Sequence, residues 1–327
     1  MNKELQNHNW KHYLQGSTWA EIKSTASWRT RSVPIDVSKG VDSLILYSRT
    51  IPALGRLHYV PKLHGLKQED VPKFTSEIKK NIRRGVAIKL ELDDPYSEEL
   101  NQTLLENGWQ PGGAEQYEYT VIVDLDKSIE GVKASFKKRA RWEMSAAERR
   151  GVTVEKVPVN SENMQIFFDM MSITSARGSF RVRGKKFSVK YWEAYSKKGT
   201  GFLYFARHEN DILSAAFVII EGSRGFYKDG ASLRLKSNLF ASRLMHWQII
   251  QDLKKAGLDS YDMCGVYKGA KSDYKNNGIY LFKTAFADSI KLQGGYVLPL
   301  SKTHRIWSRT EPYFLKIYTK LNGDIWY

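Results

Sequence analysis

Residues 261–286 read YDMCGVYKGAKSDYKNNGIYLFKTAF and combine a short strand-like run, a loop rich in glycine and lysine, and a lysine set between aromatic residues. That lysine, Lys283, directly follows Phe282 and lies three positions before Phe286. Because the lysine ammonium is a compact charge with three hydrogen-bond donors, a lysine in such surroundings suits contact with an anionic group. A solvent-exposed lysine on a strand edge fits the same pattern, so the stretch by itself leaves both interpretations open.

Length and charge define the broad class of the protein. The chain has 327 residues, which favours two domains, and its hydrophobic content of 42% is sufficient for packed cores. It carries 51 lysines and arginines against 35 aspartates and glutamates, which gives a formal net charge of +16. Such a charge predicts a polyanionic partner, with nucleic acid first and an anionic membrane surface second.

Several kinds of site and location are excluded by what the sequence lacks. The single cysteine, Cys264, rules out a disulfide framework and a cysteine-based zinc site, and we expect it to be a small packed residue. The seven histidines have no metal-ligand spacing, so we expect neither a metal nor another cofactor. The N-terminus lacks the apolar core of a signal peptide, and no run of about 18 apolar residues occurs. We therefore expect a cytoplasmic protein without an integral membrane segment.

Periodic apolar segments separated by glycine stops predict an α+β protein in two similar halves, an indication of weak internal duplication. A first short helix is predicted to open with Ser17 or Thr18 as its N-cap. The other predicted helices cover residues 71–84, 97–107, 129–150, 161–177, 188–197, 238–256 and 301–321. The predicted strands cover residues 43–50, 56–60, 86–92, 117–125, 153–157, 201–208, 212–221 and 225–230, with another at Tyr261. Residues 61–65 are predicted to be a loop.

The predicted helix over residues 129–150 is unusually basic. Three of its cations recur at four-residue spacing and would form one face that follows a line of phosphates. The candidate RNA contacts on this helix are Lys133, Lys137, Lys138 and Arg141. Phe136 and Trp142 are predicted to be core residues rather than platforms for base stacking. A solvated face that only aids solubility is the alternative.

A second basic cluster follows the predicted helix that ends at residue 177. Guanidinium groups on a loop suit bidentate capture of phosphate or carboxylate, whereas a generic basic loop is the alternative. The cluster consists of Arg177, Arg181, Arg183, Lys185 and Lys186.

The segment KKGTG at residues 197–201 resembles the pyrophosphate loop of acyl-CoA enzymes. However, Ser196 stands where that loop has arginine or glutamine, and the segment leads into a predicted strand. Phosphate capture favours a helix N-terminus, so this segment argues against coenzyme A.

Seven short motifs follow one another in a fixed order along the chain. They are QGSTWAEIK at 15–23, GRLHYVP at 55–61, KKRARWEMSAAERRG at 137–151, TSAR at 174–177 with Arg183, GAS at 230–232, YDMCG at 261–265 and FKTAF at 282–286. The ordered set resembles the FemABX family of peptidyltransferases, which use aminoacyl-tRNA to add amino acids to peptidoglycan precursors. The resemblance runs from about Tyr13 to Tyr296, although KLHG at residues 62–65 departs from the family pattern.

The resemblance implies an α+β fold of two tandem GNAT-like (acyl-CoA N-acyltransferase-like) domains without the coiled-coil arm of some members, as in short FemX-type enzymes. The first domain, residues 1–128 with 298–327, would bind the precursor, and the second, residues 129–297, would bind the tRNA end and carry out catalysis. The implied aminoacyltransferase moves an amino acid from aminoacyl-tRNA to the stem-peptide amine of UDP-MurNAc-pentapeptide or lipid II. We expect it to be a monomer.

The resemblance also implies roles for single residues. Lys283 would stabilise the oxyanion of the tetrahedral intermediate, and the backbone of Phe282 would form part of the same wall. Lys23 and Arg183 would hold the nucleotide diphosphate. Tyr227 would line the acceptor site.

Three further expectations complete this assignment. Phe187 stands where the family pattern has a tyrosine, which removes one hydroxyl contact to the precursor. Asp93 or Asp94, just before Pro95, is the natural proton acceptor, with Asp94 as a substrate contact and a turn-forming aspartate as the alternative. The loop at residues 268–277 would form a basic rim near the tRNA end.

Three competing functions remain open at this stage. The first is a CoA-dependent GNAT N-acyltransferase, which has the same fold and a different donor. The second is a non-catalytic RNA-binding protein, for which the net charge is sufficient. The third is a peripheral protein on anionic lipid, although the sequence offers no amphipathic anchor helix with a clean apolar face. The transferred amino acid and the diamino acid of the acceptor are likewise open.

Overall fold

The structure is a computed structural model that describes residues 10–37, 41–178, 183–266, 278–322 and 326–327. The chain divides into two compact units, the first formed by Met1–Glu118 with Lys291–Tyr327 and the second by Tyr119–Ile290. Each unit contains a mixed β-sheet with helices packed on it, so the predicted α+β class is confirmed. The functions assigned above to residues 1–128 with 298–327 and to residues 129–297 stay predictions.

Helices and strands alternate along the described residues. The helices are α1 (Ser17–Ser24), α2 (Val71–Asn81), α3 (Glu98–Glu106), α4 (Ile129–Ser135), α5 (Lys138–Arg149), α6 (Ser161–Gly178), α7 (Lys185–Lys197), α8 (Ala241–Lys255), α9 (Gly278–Lys283) and α10 (His304–Asn322). The strands are β1 (Arg29–Pro34), β2 (Ser43–Ile51), β3 (Gly55–Leu63), β4 (Ala87–Pro95), β5 (Gln110–Gly112), β6 (Tyr119–Asp124), β7 (Thr153–Val157), β8 (Gly201–His208), β9 (Asp211–Glu221), β10 (Arg224–Ser232), β11 (Ser260–Asp262) and β12 (Ser289–Pro299).

The sheet of the first unit has the order β1-β2-β3-β4-β12, with β5 also paired to β12. Its strands are antiparallel except for the parallel pair β3 and β4. The core contains Phe74 and Ile78 of α2 together with Leu90 of β4 and Trp109. The Trp109 indole donates a hydrogen bond from Nε1 to Thr75 Oγ1 at 2.9 Å, and buried tryptophans usually have such a hydrogen-bond partner.

The sheet of the second unit has the order β7-β8-β9-β10-β11-β6. Here too the strands are antiparallel with one exception, because β10 and β11 run parallel. Helices α5 and α8 pack against each other, and Met144 and Met245 belong to the core between helices and sheet. This core positions the central strands whose ends form the site described below.

The helix predicted over residues 129–150 is in fact two helices, α4 and α5, separated at Phe136 and Lys137. The prediction was wrong because tertiary contacts favour the break. Phe136 is buried edge-on against Trp247 and Phe286, and the Lys137 amide donates to the Ala285 carbonyl at 2.9 Å. An uninterrupted helix would use that amide internally.

Other differences from the sequence-based predictions are local. Gly16, rather than Ser17 or Thr18, is the N-cap of α1, and no side chain caps that helix. β3 continues to Leu63, into the segment predicted to be a loop, and β1, β5 and β12 were not predicted. Within the described residues, no helix is long and apolar enough to cross a membrane, and no group of three or more potential metal ligands is assembled.

Candidate functional site

A cavity of about 560 Å³ in the second unit lies where β10 and β11 part. The two strands pair only from Arg224 to Phe226 of β10; beyond this point β10 continues along β9, whereas the chain after β11 bonds to β6. Four of the sequence motifs contribute residues to the cavity wall. These residues are Thr174, Arg177, Gly230, Ala231, Ser232, Cys264, Gly265, Phe282 and Lys283. Segments that are distant in sequence therefore meet at one site.

Lys283 ends α9 and lines this cavity although it is buried, with only 8% of its surface exposed. Its Nζ donates to the Gly265 carbonyl at 2.8 Å and lies 3.4 Å from the Cys264 carbonyl. Burial lowers the pKa of Lys283, because desolvation disfavours the charged form. Since an ammonium has three N–H donors, these two carbonyls leave one donor for a ligand oxygen.

The turn that presents these two carbonyls is fixed by Asp262. Its carboxylate accepts a hydrogen bond from the Cys264 amide at 2.7 Å and from the Thr120 hydroxyl, and it forms an ion pair with Arg224 in which both side chains are fully buried. Cys264 has a φ of 58°, in the left-handed region that a residue with a Cβ rarely adopts. Cys264 is buried, as predicted, but it is its backbone that contacts Lys283.

Tyr227 lines the same cavity, and Lys283 Nζ lies 5.5 Å from the centre of its ring. Burial raises the pKa of the Tyr227 phenol, so the hydroxyl stays protonated. Gly230 is required here by close approach, because a Cβ at this position would fall 1.6 Å from the Tyr227 hydroxyl oxygen. The GAS motif therefore begins with glycine to accommodate the tyrosine.

His246, on α8, forms the layer behind Tyr227 and was not identified from the sequence. The two rings meet edge-on at 4.5 Å, and Nδ1 of His246 lies 2.9 Å from the Tyr261 hydroxyl. Burial lowers the pKa of His246 to about 3, and the positive charges of Lys283 and Arg243 add to the effect. His246 is therefore neutral at physiological pH and adds no positive charge near Lys283.

The TSAR and GAS motifs meet at the rim of the cavity. The Thr174 hydroxyl accepts from the Ser232 amide at 3.2 Å, and Arg177 Nη2 donates to the Ser232 carbonyl at 2.7 Å. Arg177 thus braces the end of β10, a contact with backbone rather than with an anion. Arg181 of the same basic cluster lies outside the described residues.

Asp229, between Tyr227 and Gly230, is a second residue of the cavity that sequence reasoning missed. Its carboxylate accepts hydrogen bonds from the Tyr191 hydroxyl and, at 3.0 Å, from Trp192 Nε1. Asp229 also pairs with Lys228 at 3.0 Å. The wall of the cavity that contains Lys283 therefore also contains a carboxylate, which is paired with Lys228.

The carbonyl of Phe282 is held by Arg243, whose Nη1 donates to it at 2.5 Å. The same guanidinium pairs with Glu143 at 2.7 Å and stacks over the Phe282 ring at 4.2 Å. Phe282 does contribute to the wall that contains Lys283, and Arg243 fixes α9 against α5 and α8.

A second cavity of about 670 Å³ adjoins the first, since Ser232, Arg234 and Phe282 line both. Its other basic lining residues are Lys137, Arg139, Lys236 and Arg243. Arg234 is exposed, and no carboxylate of the described residues pairs with it, whereas Lys236 pairs with Glu209 and Asp211. Arg234 and Lys236 both have left-handed backbone conformations, the kind of local strain that often accompanies functional sites.

The predicted basic face of residues 129–150 is wrong in its geometry, because the helix break separates its members. Arg141 Nη1 donates to the Ala134 and Phe136 carbonyls at 2.7 Å, and Lys133 lies over the Trp247 ring at 5.4 Å. Of the four predicted contacts, which include the exposed Lys138, only Lys137 lines the second cavity. The contact of these four residues with tRNA stays a prediction.

The two aromatic residues predicted to be core on this segment differ in outcome. Phe136 is buried, as predicted, whereas Trp142 is 52% exposed and contacts Phe240 edge-on at 5.5 Å. The prediction for Trp142 was wrong because this residue lies six positions after Phe136, about 120° away around a helix, so the two would not share a core-facing stripe even on an unbroken helix.

Arg183 and Phe187 lie together near the start of α7. The Arg183 guanidinium stacks over the Phe187 ring at 5.0 Å, so the replacement of tyrosine by phenylalanine keeps the ring contact while it removes the hydroxyl. Neither residue lines the two cavities described above. Their role in holding a diphosphate stays a prediction.

The remaining predicted contacts belong to the first unit. Lys23 is buried on α1, with Nζ 5.4 Å from the Trp28 ring. Asp94 lies within β4 and accepts from the Gly65 amide at 3.1 Å, and it pairs with His64 at 3.0 Å. Their roles as substrate contacts also stay predictions, and the predicted rim at 268–277 lies outside the described residues.

Comparisons with known proteins give a consistent picture. A family profile described as an acetyltransferase (GNAT) domain matches residues 134–276. The lipid II:glycine glycyltransferase of Staphylococcus epidermidis is 23% identical over 95% of this chain and 94% of its own length. The enzyme of the same name from Staphylococcus haemolyticus is 22% identical with the same coverage. A crystal structure of FemX superimposes with a TM-score of 0.80 and 17% identity over 94% of this chain and 96% of FemX.

The resemblance to the FemABX family is confirmed. The fold is FemX-like and contains a GNAT domain, and the matched region includes β10, β11 and most of the cavity wall formed by their divergence. Because the relatives matched along nearly the whole chain are named glycyltransferases, the prediction of an aminoacyltransferase-type enzyme is also confirmed.

Proposed function

We propose that this protein transfers an amino acid from an aminoacyl-tRNA to the stem-peptide amine of a peptidoglycan precursor and so forms an interpeptide branch. The lipid II:glycine glycyltransferases, similar along 95% of the chain, support lipid II as the acceptor, and UDP-MurNAc-pentapeptide is the soluble form with the same amine. The observation that carries the proposal is the buried Lys283 ammonium at the wall of a cavity to which four motifs contribute.

The reaction is the aminolysis of an ester. The acceptor amine attacks the ester carbonyl carbon, the new C–N bond forms, and negative charge develops on the carbonyl oxygen. The C–O bond to the tRNA ribose then breaks, and the departing hydroxyl takes up the proton that the amine loses. An amine with a pKa near 10.4 is neutral only about 10⁻³ of the time at pH 7, a cost of roughly 4 kcal/mol.

Lys283 is the group that would stabilise the developing oxyanion. Its ammonium is anchored by the Gly265 carbonyl at 2.8 Å, so little reorganisation is needed when the charge appears. A single donor to an oxyanion is typically worth about 2.7–4 kcal/mol, so this one cation can change the rate substantially. Tyr227, which lies within 5.5 Å of the same ammonium, is expected to orient the acceptor.

The basic second cavity suits the donor. The 3′ end of an aminoacyl-tRNA carries phosphates, and Arg234 offers an exposed guanidinium without a carboxylate partner among the described residues at the boundary of both cavities. The carboxylate of Asp229, in the wall of the first cavity, would attract a protonated acceptor amine. In this arrangement donor and acceptor approach Lys283 through adjoining cavities.

A CoA-dependent reaction is less well supported by the geometry. Residues 197–201, the segment that resembles a pyrophosphate loop, follow the C-terminus of α7 and lead into β8. A helix C-terminus presents carbonyl oxygens, whereas phosphate binding uses the N–H groups of a helix N-terminus.

The proposal is tested by incubating the purified protein with charged tRNAs and with either lipid II or UDP-MurNAc-pentapeptide, followed by mass spectrometry of the acceptor. We expect a mass gain of one or more amino acid residues that requires the charged tRNA. Lys283→Met should abolish most of the gain, whereas Lys255→Met, at an exposed lysine of α8, should retain it. No mass gain with any charged tRNA and either acceptor would overturn the proposal.

A further inference from the structure

The helix α10 packs on the first unit through one aromatic face. Trp307 is buried on this face and meets Phe314 at 5.3 Å, and Phe314 in turn contacts Trp326 at 4.8 Å. Glu311, the acidic residue of α10, also points inward, where it pairs with Lys89 at 3.0 Å. The inner face is thus filled by the protein itself.

A second stripe of α10 is apolar and faces solvent. Four large side chains recur at helical spacing along it: Ile306, Tyr313, Ile317 and Leu321. Their exposed fractions are 52%, 70%, 59% and 78%, respectively. Isolated exposed apolar residues are common, but four aligned on one helix form a continuous patch, and such patches mark interaction sites.

A third stripe runs directly beside the apolar one and is basic. An α-helix turns by 100° per residue, and this spacing places the four cations of the stripe next to the apolar side chains, on the side away from the core. They are Arg305, Arg309, Lys316 and Lys320, all exposed and none paired with a carboxylate of the described residues. Because Glu311 is turned inward, the outer surface of α10 carries cations and apolar side chains without an acidic residue.

We propose that α10 binds the surface of an anionic lipid bilayer, with its exposed apolar stripe inserted at the headgroup level and its basic stripe against the lipid phosphates. An amphipathic helix with a basic polar face and exposed bulky apolar residues is the usual element for such binding. A second copy of the chain fits less well, because an isologous contact would bring two basic stripes together. The sequence alone predicted no anchor helix with a clean apolar face, whereas in the structure the exposed apolar stripe of α10 is separate from the buried aromatic face.

Docking by α10 would bring the protein to the surface where a lipid-linked acceptor resides. The inference extends the proposed function to the lipid-linked form of the acceptor, but the membrane contact itself depends only on the side chains of α10. Each Lys or Arg near an anionic surface contributes roughly fivefold to binding, so loss of two cations should weaken it about 25-fold. Replacement of two large apolar side chains by serine should weaken it by about tenfold or more.

The experiment measures sedimentation of the purified full chain with vesicles that contain no peptidoglycan precursor. We expect binding to vesicles of phosphatidylcholine with 30% phosphatidylglycerol, and little binding to phosphatidylcholine alone. Arg309→Ala with Lys316→Ala, and separately Ile317→Ser with Leu321→Ser, should each lose the binding by the factors given above. The matched controls are Lys197→Ala with Lys255→Ala for charge and Ile173→Ser for exposed apolar surface, and both should bind as the wild type does.

Two outcomes would overturn the inference. Either the wild-type chain does not bind the anionic vesicles, or the α10 variants bind them as strongly as the control variants do. The same variants are then assayed for transfer to UDP-MurNAc-pentapeptide, which needs no membrane. Retained transfer to this soluble acceptor, with loss of vesicle binding, supports the α10 assignment. If the wild type binds vesicles but transfers no amino acid to either acceptor, the proposed function is wrong, whereas the inference that α10 binds membranes is supported.

Discussion

The replacement of Lys283 by methionine tests the chemistry of the site most directly. Methionine keeps an unbranched side chain of similar length but removes the ammonium that donates to Gly265 at 2.8 Å. If this ammonium stabilises the oxyanion, kcat should fall by about 10²–10³, the usual effect of deleting one such donor. KM should change little, because the interaction is made mainly in the transition state.

Stability and catalysis must be separated in this experiment. The substitution leaves the Gly265 and Cys264 carbonyls without their lysine donor, which costs about 1–3 kcal/mol, but it also removes a buried charge. We therefore expect a small net change in the free energy of unfolding, measured by denaturant titration. A folded Lys283→Met enzyme that turns over within about threefold of the wild type would refute the catalytic role.

The pH dependence of stability and of kcat tests the role of Lys283 independently. Burial lowers the pKa of Lys283 in the folded chain, whereas in the unfolded chain the pKa has its ordinary value near 10.4. At a pH between these two values, the unfolded chain binds a proton that the folded chain has lost. The stability of the wild type relative to Lys283→Met should therefore rise with pH across this window. Over the same window kcat should fall, because neutral Lys283 no longer stabilises an oxyanion; an alkaline limb at or above 10.4 would contradict the assignment.

Three further substitutions test the supporting structure. Gly230→Ala would put a Cβ 1.6 Å from the Tyr227 hydroxyl oxygen and 2.2 Å from the ring carbon Cζ, so it should lower kcat/KM by displacing the ring; an undiminished kcat/KM would contradict the reasoning. Asp262→Asn breaks a fully buried ion pair and should lower the free energy of unfolding by roughly 3–5 kcal/mol, so an unchanged denaturation midpoint would be inconsistent with it. Arg234→Ala should weaken tRNA binding, and the slope of log K for tRNA binding against the logarithm of the salt concentration should become shallower by about one. Arg149→Ala, at an exposed position, is the control and should change neither the affinity nor the slope.

Much of the fold was predictable because long, periodic segments depend on local pattern. Strands such as β8 and helices such as α6 matched their predicted ranges closely. The strands that were not predicted depend on distant parts of the chain. One of them, β12, contains Gly294 and Gly295 in mid-strand and forms hydrogen bonds with β4 and β5, which are far from it in sequence. No local periodicity reports such pairing.

The break between α4 and α5 illustrates why a charge pattern alone predicted a single basic face that the fold does not form. Lys133, Lys137 and Arg141 would share a face only on a continuous helix, and contacts of Phe136 with Trp247 and Phe286 prevent this. The basic cavity instead depends on Arg234 and its neighbours, which sit on a short irregular segment after β10. Net charge predicts a polyanionic partner, but the positions of the cations on the folded chain depend on packing.

The spacing within YDMCG has a physical explanation that the sequence reading did not find. Asp262 lies two residues before Cys264, the distance at which its carboxylate can accept the Cys264 amide and hold that residue in a left-handed turn. The turn directs the next carbonyls toward Lys283, 18 positions further along. Arg224, at the start of β10, neutralises Asp262, so the carboxylate shapes the turn without pairing directly with the lysine. The ammonium therefore keeps a donor for the substrate, and for this reason we expect Asp262 variants to lose activity through the position of Lys283 rather than through its charge.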